Sequence, residues 1–220
     1  VAYRDGAGLG HCEDSGEARK DLNRSCGSTS AFKPPARISQ EARAPDGKFG
    51  AVLADPPWSF SVRSPKGEGR SASQHYPCMS LDSIAALPVA DWAAPDAWLF
   101  LWTTTPMLPQ ALRVMGAWGF AYSGTAFCWA KLNPSGRGFH LGLGFTTRKN
   151  VELCLLGKRG RPPIRAHDVR ELIVSPRRQH SRKPDEQYER IERLCDGPYL
   201  ELFARQQWPG WVAVGDEVES

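Results

Sequence analysis

The chain has 220 residues, 41% hydrophobic and 24% charged, with a net charge of +4, proportions that fit one core-bearing domain with or without an extension. No apolar run reaches the roughly eighteen residues of a membrane span, and the opening "VAYRDGAGLG" lacks a secretion-signal core, so a soluble cytoplasmic protein is expected. The six cysteines form no C-x-x-C pair and have no histidines at zinc-ligand spacing, so no metal is expected.

Residues 1–45 are rich in Gly, Ser, Ala and charge, show no sustained period, and contain the breaker "KPPAR". They read as a flexible or loosely docked extension to a domain over 46–220. From Lys48 on, short β-rich apolar runs alternate with helical patterns. The runs "FGAVLA" (49–54), "AWLFLW" (97–102), "TAFCWAK" (125–131), "VELCLLG" (151–157), "ELIVS" (171–175), "YLELFA" (199–204) and "WVAVG" (211–215) predict strands. Between them, "SLDSIAAL" offers Ser80 as a helix N-cap. "TPMLPQALRVMGAWG" places Leu108, Ala111, Leu112 and Met115 at helical spacing. "KPDEQYERIERLCDG" puts Pro184 in a first turn and Tyr188, Ile191 and Leu194 or Cys195 on one face. Interleaved strands and helices imply an α/β fold of three layers, a largely parallel sheet covered on both faces.

Two long Gly-rich basic stretches, 59–77 and 132–149, each follow a predicted strand. In open α/β sheets ligands bind beyond the carboxyl ends of strands, so both are candidates for function. A third feature is charge: nine basic residues against two acids between Lys158 and Lys183. Such a run is ordinarily a solvated surface, but beside a polyanion site it would be an electrostatic footprint. Arg177, Arg178 and Lys149, with Arg63, Lys66, Arg70, Arg137 and Arg148, are therefore candidate phosphate contacts. His75, His140, His167 and His180 lie in polar stretches and read as surface residues; Cys128 and Cys154 lie in apolar runs and read as small buried side chains.

The first strand ends on Asp55, Pro56, Pro57 and Trp58. Consecutive prolines donate no backbone hydrogen bond and stiffen the turn, leaving the Asp55 carboxylate beside a peptide carbonyl. Two neighbouring acceptors suit a planar amino group, and an indole suits the ring that carries it, which points to the exocyclic amine of a nucleobase. The bland alternative is a tight strand-ending turn with Trp58 in the core.

"AVLADPPW" resembles the catalytic motif of amino-directed, S-adenosylmethionine-dependent methyltransferases. "HYPCMSLDSI", "AWLFLWTTT", "NVELCLLGKRG", "SRKPDEQYERIERL", "ELFAR" and "WVAVGDE" then follow in the order found in the MT-A70 family, which includes the mRNA adenosine N6-methyltransferase catalytic subunit and bacterial and phage relatives. The likeness covers roughly residues 48–217. It implies a Rossmann-like methyltransferase sheet in permuted order, with the catalytic tetrad ahead of the cofactor segment. It also implies that Asp55 and the Pro56 carbonyl bind the adenine amine, that Pro57 and Trp58 complete the site, and that Trp58 stacks. Tyr76 matches an aromatic of the loop after the tetrad, Glu152 an acid near the substrate, and Lys183 a lysine near both ligands. Phe203, Arg205, Gln207, Asp216 and Glu217, with Asp55, match cofactor contacts. Here the chain has Gln207 where the mRNA enzyme has His, and "GDE" where it has "GNQ"; carboxylates accept from ribose hydroxyls as well as amides do.

The resemblance implies an adenine N6-methyltransferase acting on nucleic acid. DNA is favoured, because the small bacterial and phage relatives lack the RNA-binding modules of the mRNA enzyme and no CCCH finger is visible; RNA is the second reading. A catalytically silent nucleic-acid-binding scaffold is the alternative of another class, and the intact tetrad argues against it. The sequence carries no sign of an oligomer.

Overall fold

A computed structural model describes residues 46–59, 79–144, 146–178, 182–215 and 218. The extension proposed for 1–45, and nearly all of the stretch after the tetrad, lie outside the described residues.

Seven strands form one sheet: β1 (Phe49–Ala54), β2 (Ala93–Thr103), β3 (Ala121–Leu132), β4 (Val151–Arg159), β5 (Leu172–Pro176), β6 (Tyr199–Leu202) and β7 (Trp211–Val214). Every predicted strand is present, with β2 and β3 each starting four residues earlier than their apolar cores suggest. The spatial order is β5-β3-β4-β2-β1-β6-β7. All neighbours pair in parallel except β4, which runs antiparallel to both β2 and β3. The carboxyl ends of six strands and the amino end of β4 therefore share one rim.

Alternation along the central strands divides the core in two, as period-2 geometry requires. Val52 and Ala54 of β1, and Leu99 and Leu101 of β2, face one cluster; Ala51 and Leu53, with Trp98, Phe100 and Trp102, face the other. The first cluster is covered by α1 (Leu81–Ala85), α2 (Val89–Trp92) and α3 (Leu108–Ala117). They contribute Ile84, Val89, Trp92, Val114 and Met115. The second is covered by α4 (Glu186–Leu194), through Tyr188 and Ile191 together with Cys195. The sheet thus has helices on both faces, the three-layer α/β arrangement.

Ser80 caps α1 as its sequence position predicts, its Oγ accepting from the Ser83 amide at 3.1 Å. Two details differ from the periodicity. Leu112 is 39% exposed, because the buried stripe of α3 runs through Met107, Ala111, Val114, Met115 and Trp118, and Leu112 lies beyond its edge. Pro184 precedes the N-cap residue Asp185 instead of entering the helix, and its carbonyl accepts from the Gln187 amide at 3.1 Å.

Candidate active site

β1 delivers Asp55 to the rim, and the prolines fold the chain sharply behind it. The Trp58 amide donates to the Pro56 carbonyl at 2.8 Å, and the Met79 amide donates to the Pro57 carbonyl at 3.2 Å. Pro56 keeps a second lone pair for another donor. Trp58 itself turns inward: it is 6% exposed, packs in the cluster under α1–α3, and donates its indole N–H to the Trp102 carbonyl at 3.0 Å. Of the two readings of the tetrapeptide, the core one describes Trp58 here. Its ring supports the turn from below.

Asp55 is the first member of a chain of charges along the rim. Its Oδ2 accepts from Lys183 Nζ at 2.5 Å, and the same ammonium lies 3.4 Å from Oε2 of Glu152, at the start of β4. Lys131, at the end of β3, donates to Oε1 of Glu152. The run Asp55–Lys183–Glu152–Lys131 alternates in sign, as a group of nearly buried ions must if none is to carry its desolvation cost alone. Trp102 lies beneath Lys183, with the ammonium 5.5 Å from its ring centroid, and Trp129 lies beneath Lys131 at 4.8 Å. Burial by itself would lower Lys183 and raise Glu152, yet the paired charges prevail: Asp55 and Glu152 hold Lys183 above its ordinary range, and Lys183 with Lys131 holds Glu152 below its own.

Next to Asp55 a narrow, solvent-open cleft lies between the ends of β1, β2 and β6 and the first turn of α4. Leu53, Trp102 and Gln187 floor it, while Lys183, Glu201, Phe203, Arg205 and Gln206 line it. Gln187 is fixed by accepting the Trp102 indole N–H at 2.7 Å. Phe203 has φ 61, a left-handed conformation that costs a bulky residue on the order of 1 kcal/mol or more. That turn ends β6 and brings the Phe203 ring to the cleft.

Glu201 is a buried acid in an otherwise apolar strand, and both its oxygens accept from one donor, the Tyr188 hydroxyl, at 3.0 Å. Burial, reinforced by the Asp55 and Asp185 charges and only partly offset by the Tyr188 hydrogen bond, raises Glu201 from 4.5 to about 7. The folded protein keeps this proton where the unfolded chain has lost it, so the contribution falls as pH rises from the unfolded value through the folded one. At about 1.4 kcal/mol per pH unit the cost above neutrality is about 3 kcal/mol. Glu201→Gln is therefore expected to gain on wild type between pH 5 and 8, by up to about 3 kcal/mol at the upper end, in urea unfolding curves. Parallel pH profiles for the two proteins would remove Glu201 as the titrating group.

The other residues singled out in the sequence are dispersed. Arg178, expected on phosphate, forms a fork on Asp185 at 2.7 and 3.0 Å and donates to the Lys183 carbonyl at 2.6 Å. It braces the turn that carries Lys183, and Arg182 joins it on Asp185 at 2.9 Å. Gln207 is directed away from the cleft: its amide donates to the carbonyls of Trp208 and Trp211, at 3.1 and 2.6 Å, because the 207–211 turn has carbonyls to satisfy, and Gln206 lines the cleft in its place. Arg177 and Lys149 are exposed on the rim side of the sheet. Tyr76, Asp216 and Glu217 lie outside the described residues, as do Arg63, Lys66, Arg70, His75 and His180. His167 is exposed, and His140 is half-buried. Cys154 is buried and Cys128 half-buried. Among the described residues no group of His, Cys, Asp and Glu could hold a metal ion, and no helix is long and apolar enough to cross a membrane.

A family model described as MT-A70 matches residues 49–217. The Type II methyltransferase M.MunI of Mycoplasma sp is 32% identical over 194 residues, covering 79% of this chain and 79% of that protein. An N(6)-adenosine-methyltransferase MT-A70-like protein of Arabidopsis thaliana is 31% identical over 176 residues, 78% of this chain and 24% of its own length. The human N(6)-adenosine-methyltransferase catalytic subunit METTL3 is 31% identical over 197 residues, 84% of this chain and 32% of its own. The chain thus spans most of the first relative and a quarter to a third of the other two.

Proposed function

The chain belongs to the MT-A70 family, and on that premise we propose that it transfers the methyl group of S-adenosylmethionine to N6 of adenine in a nucleic acid, with DNA favoured. The observation that carries the reading is the Asp55 carboxylate, held at the rim by Lys183 at 2.5 Å and opening onto the cleft. The reading of DNA follows the relative of matching length, the Type II methyltransferase; the adenosine-methyltransferase names make RNA the second reading.

The cleft's donors suit the cofactor. A zwitterionic amino-acid end needs an acid and a cation close together, and Glu201 and Arg205 supply them on either side of Phe203. An incoming ammonium favours the ionised form of Glu201, whose two oxygens share a single hydroxyl and have lone pairs left to accept from it. Phe203 offers an aromatic face and Gln206 an amide. Asp216 and Glu217, which the family resemblance gives to the ribose, complete the set. S-adenosylmethionine supplies a methyl group on a positively charged sulfur.

The amine of adenine is a weak nucleophile because its lone pair is delocalised into the ring. Hydrogen bonds to the Asp55 carboxylate and the Pro56 carbonyl favour a pyramidal nitrogen and hold it in line with the methyl donor, which makes the encounter effectively unimolecular. Lys183 occupies Oδ2, fixing the carboxylate's orientation and leaving Oδ1 for the amine. Asp55 need not be a strong base, since the proton leaves after transfer.

The test uses deuterated S-adenosylmethionine with duplex DNA, single-stranded DNA and single-stranded RNA, followed by nucleoside mass spectrometry. Labelled N6-methyladenine in DNA is the expected result. Label confined to RNA reverses the substrate preference. Cofactor binding without label in any of the three returns the chain to the scaffold reading.

A further inference from the structure

The connection between β3 and β4 is a shaped finger that the proposed chemistry does not use. At its root the His140 amide donates to the Lys131 carbonyl at 2.7 Å, and the Asn133 amide donates to the Gly138 carbonyl at 3.0 Å. Gly136 and Gly138 take left-handed φ of 74 and 69 to close that turn. Farther out, the Gly142 amide donates to the Lys149 carbonyl at 2.8 Å, an approach so close that a Cβ on Gly142 would meet that oxygen at 2.3 Å.

The sequence between these ties is "FHLGLG", residues 139–144. Phe139, Leu141 and Leu143 alternate in sequence with polar or side-chain-free positions. They are 59%, 73% and 48% exposed. Three large apolar side chains in a row on a surface call for an occupant.

Charge indicates which occupant. From Leu132 to Asn150 the chain has Arg137, Arg148 and Lys149 and no acid, a composition that fits a polyanion. Position agrees, because the finger springs from Lys131 and returns at Glu152, the pair at the far end of the ion chain that leads through Lys183 to Asp55. An apolar surface flanked by cations, at the rim of a site that accepts a base, has the composition of the wedges that other proteins insert between base steps.

We propose that this finger is a strand-opening wedge: Phe139 and Leu141 enter the base stack beside the target adenine and fill the space it leaves, while the finger's cations hold the flanking phosphates. The proposal rests on the nucleic-acid methyltransferase reading. It assigns the finger to substrates whose adenine is paired, because an unpaired base needs no displacement from a stack.

The experiment compares wild type with the double variant Phe139→Ser/Leu141→Ser on one unmethylated plasmid DNA, presented as relaxed duplex or heat-denatured to single strands, with N6-methyladenine counted by mass spectrometry. The duplex rate of the variant is expected to fall by about tenfold more than its single-strand rate, which also reports that the variant is folded. Equal losses on both forms, or no loss on either, overturn the wedge while leaving the methyltransferase reading standing, as does a wild type that methylates only single strands. A wild-type dimer that the double variant dissociates, seen by light scattering, overturns it by giving the apolar face to a second copy of the chain. Wild type that marks neither form of DNA refutes the DNA reading itself, and the wedge with it.

Discussion

Asp55→Asn is expected to lower single-turnover methyl transfer by roughly 10²- to 10³-fold, the scale on which removing one positioned polar partner from a reacting group acts. The substitution keeps volume and one carbonyl-type acceptor, but it removes the charge that polarises the amine and offers an N–H in place of the second oxygen. Cofactor affinity, read by calorimetry, is expected to change by less than about threefold, since Glu201, Phe203, Arg205 and Gln206 of the cleft lining are untouched by the substitution. Turnover like that of wild type would take Asp55 out of the mechanism. A collapse of cofactor binding would make Asp55 a cofactor residue first.

Lys183→Met has the largest expected effect on stability. Nearly buried, Lys183 separates two carboxylates, Asp55 and Glu152, and its removal leaves two like charges facing each other at the rim. Removing one partner of a buried ion pair costs roughly 3–5 kcal/mol, and urea unfolding at neutral pH is expected to show a loss in that range. The pH dependence follows from the two shifts. Lys183 is raised above 10.5, so its contribution is complete below that value and is lost as pH climbs through the higher folded value. Glu152 is lowered below 4.5, so its contribution is complete above that value and is lost as pH falls through the lower folded value. The difference between wild type and variant is therefore greatest between those limits, and narrows in acid as protonation of one carboxylate relieves the repulsion. A difference independent of pH would mean that Lys183 acts through packing alone.

The sheet was legible because its inner strands are buried on both faces, and two-sided burial leaves unbroken apolar runs such as "AWLFLW". The rim was legible from the tetrad and from Lys183 and Glu152, which the fold brings together from separate strands and turns. What the sequence left open was direction. Nothing local states to which side of the sheet a residue beyond a strand end turns, so Trp58 could be read as platform or as core, and its burial depends on long-range packing against Trp102. The protein partners of Arg178 and Gln207 were not legible for a related cause. Each is a donor whose acceptor, Asp185 or the carbonyls of Trp208 and Trp211, is chosen by how a turn folds back. Glu201 and Gln187 were overlooked, although a single acid within "YLELFA" was a usable signal, since an acid placed in a buried strand must have a donor waiting for it.

The reversed direction of β4 has a consequence for how such a protein can change. A strand parallel to its neighbours would have to travel the full depth of the sheet before returning to the rim. Because β4 begins there, the segment from Leu132 to Asn150 is a closed excursion, anchored on both sides by the Lys131–Glu152 pair. Its tip can be lengthened, shortened or exchanged while the carboxylate at its base keeps its address beside Lys183. Under the wedge proposal, a graft confined to the tip would alter how the substrate is engaged while Asp55, on β1, and its partner Lys183 stay in place.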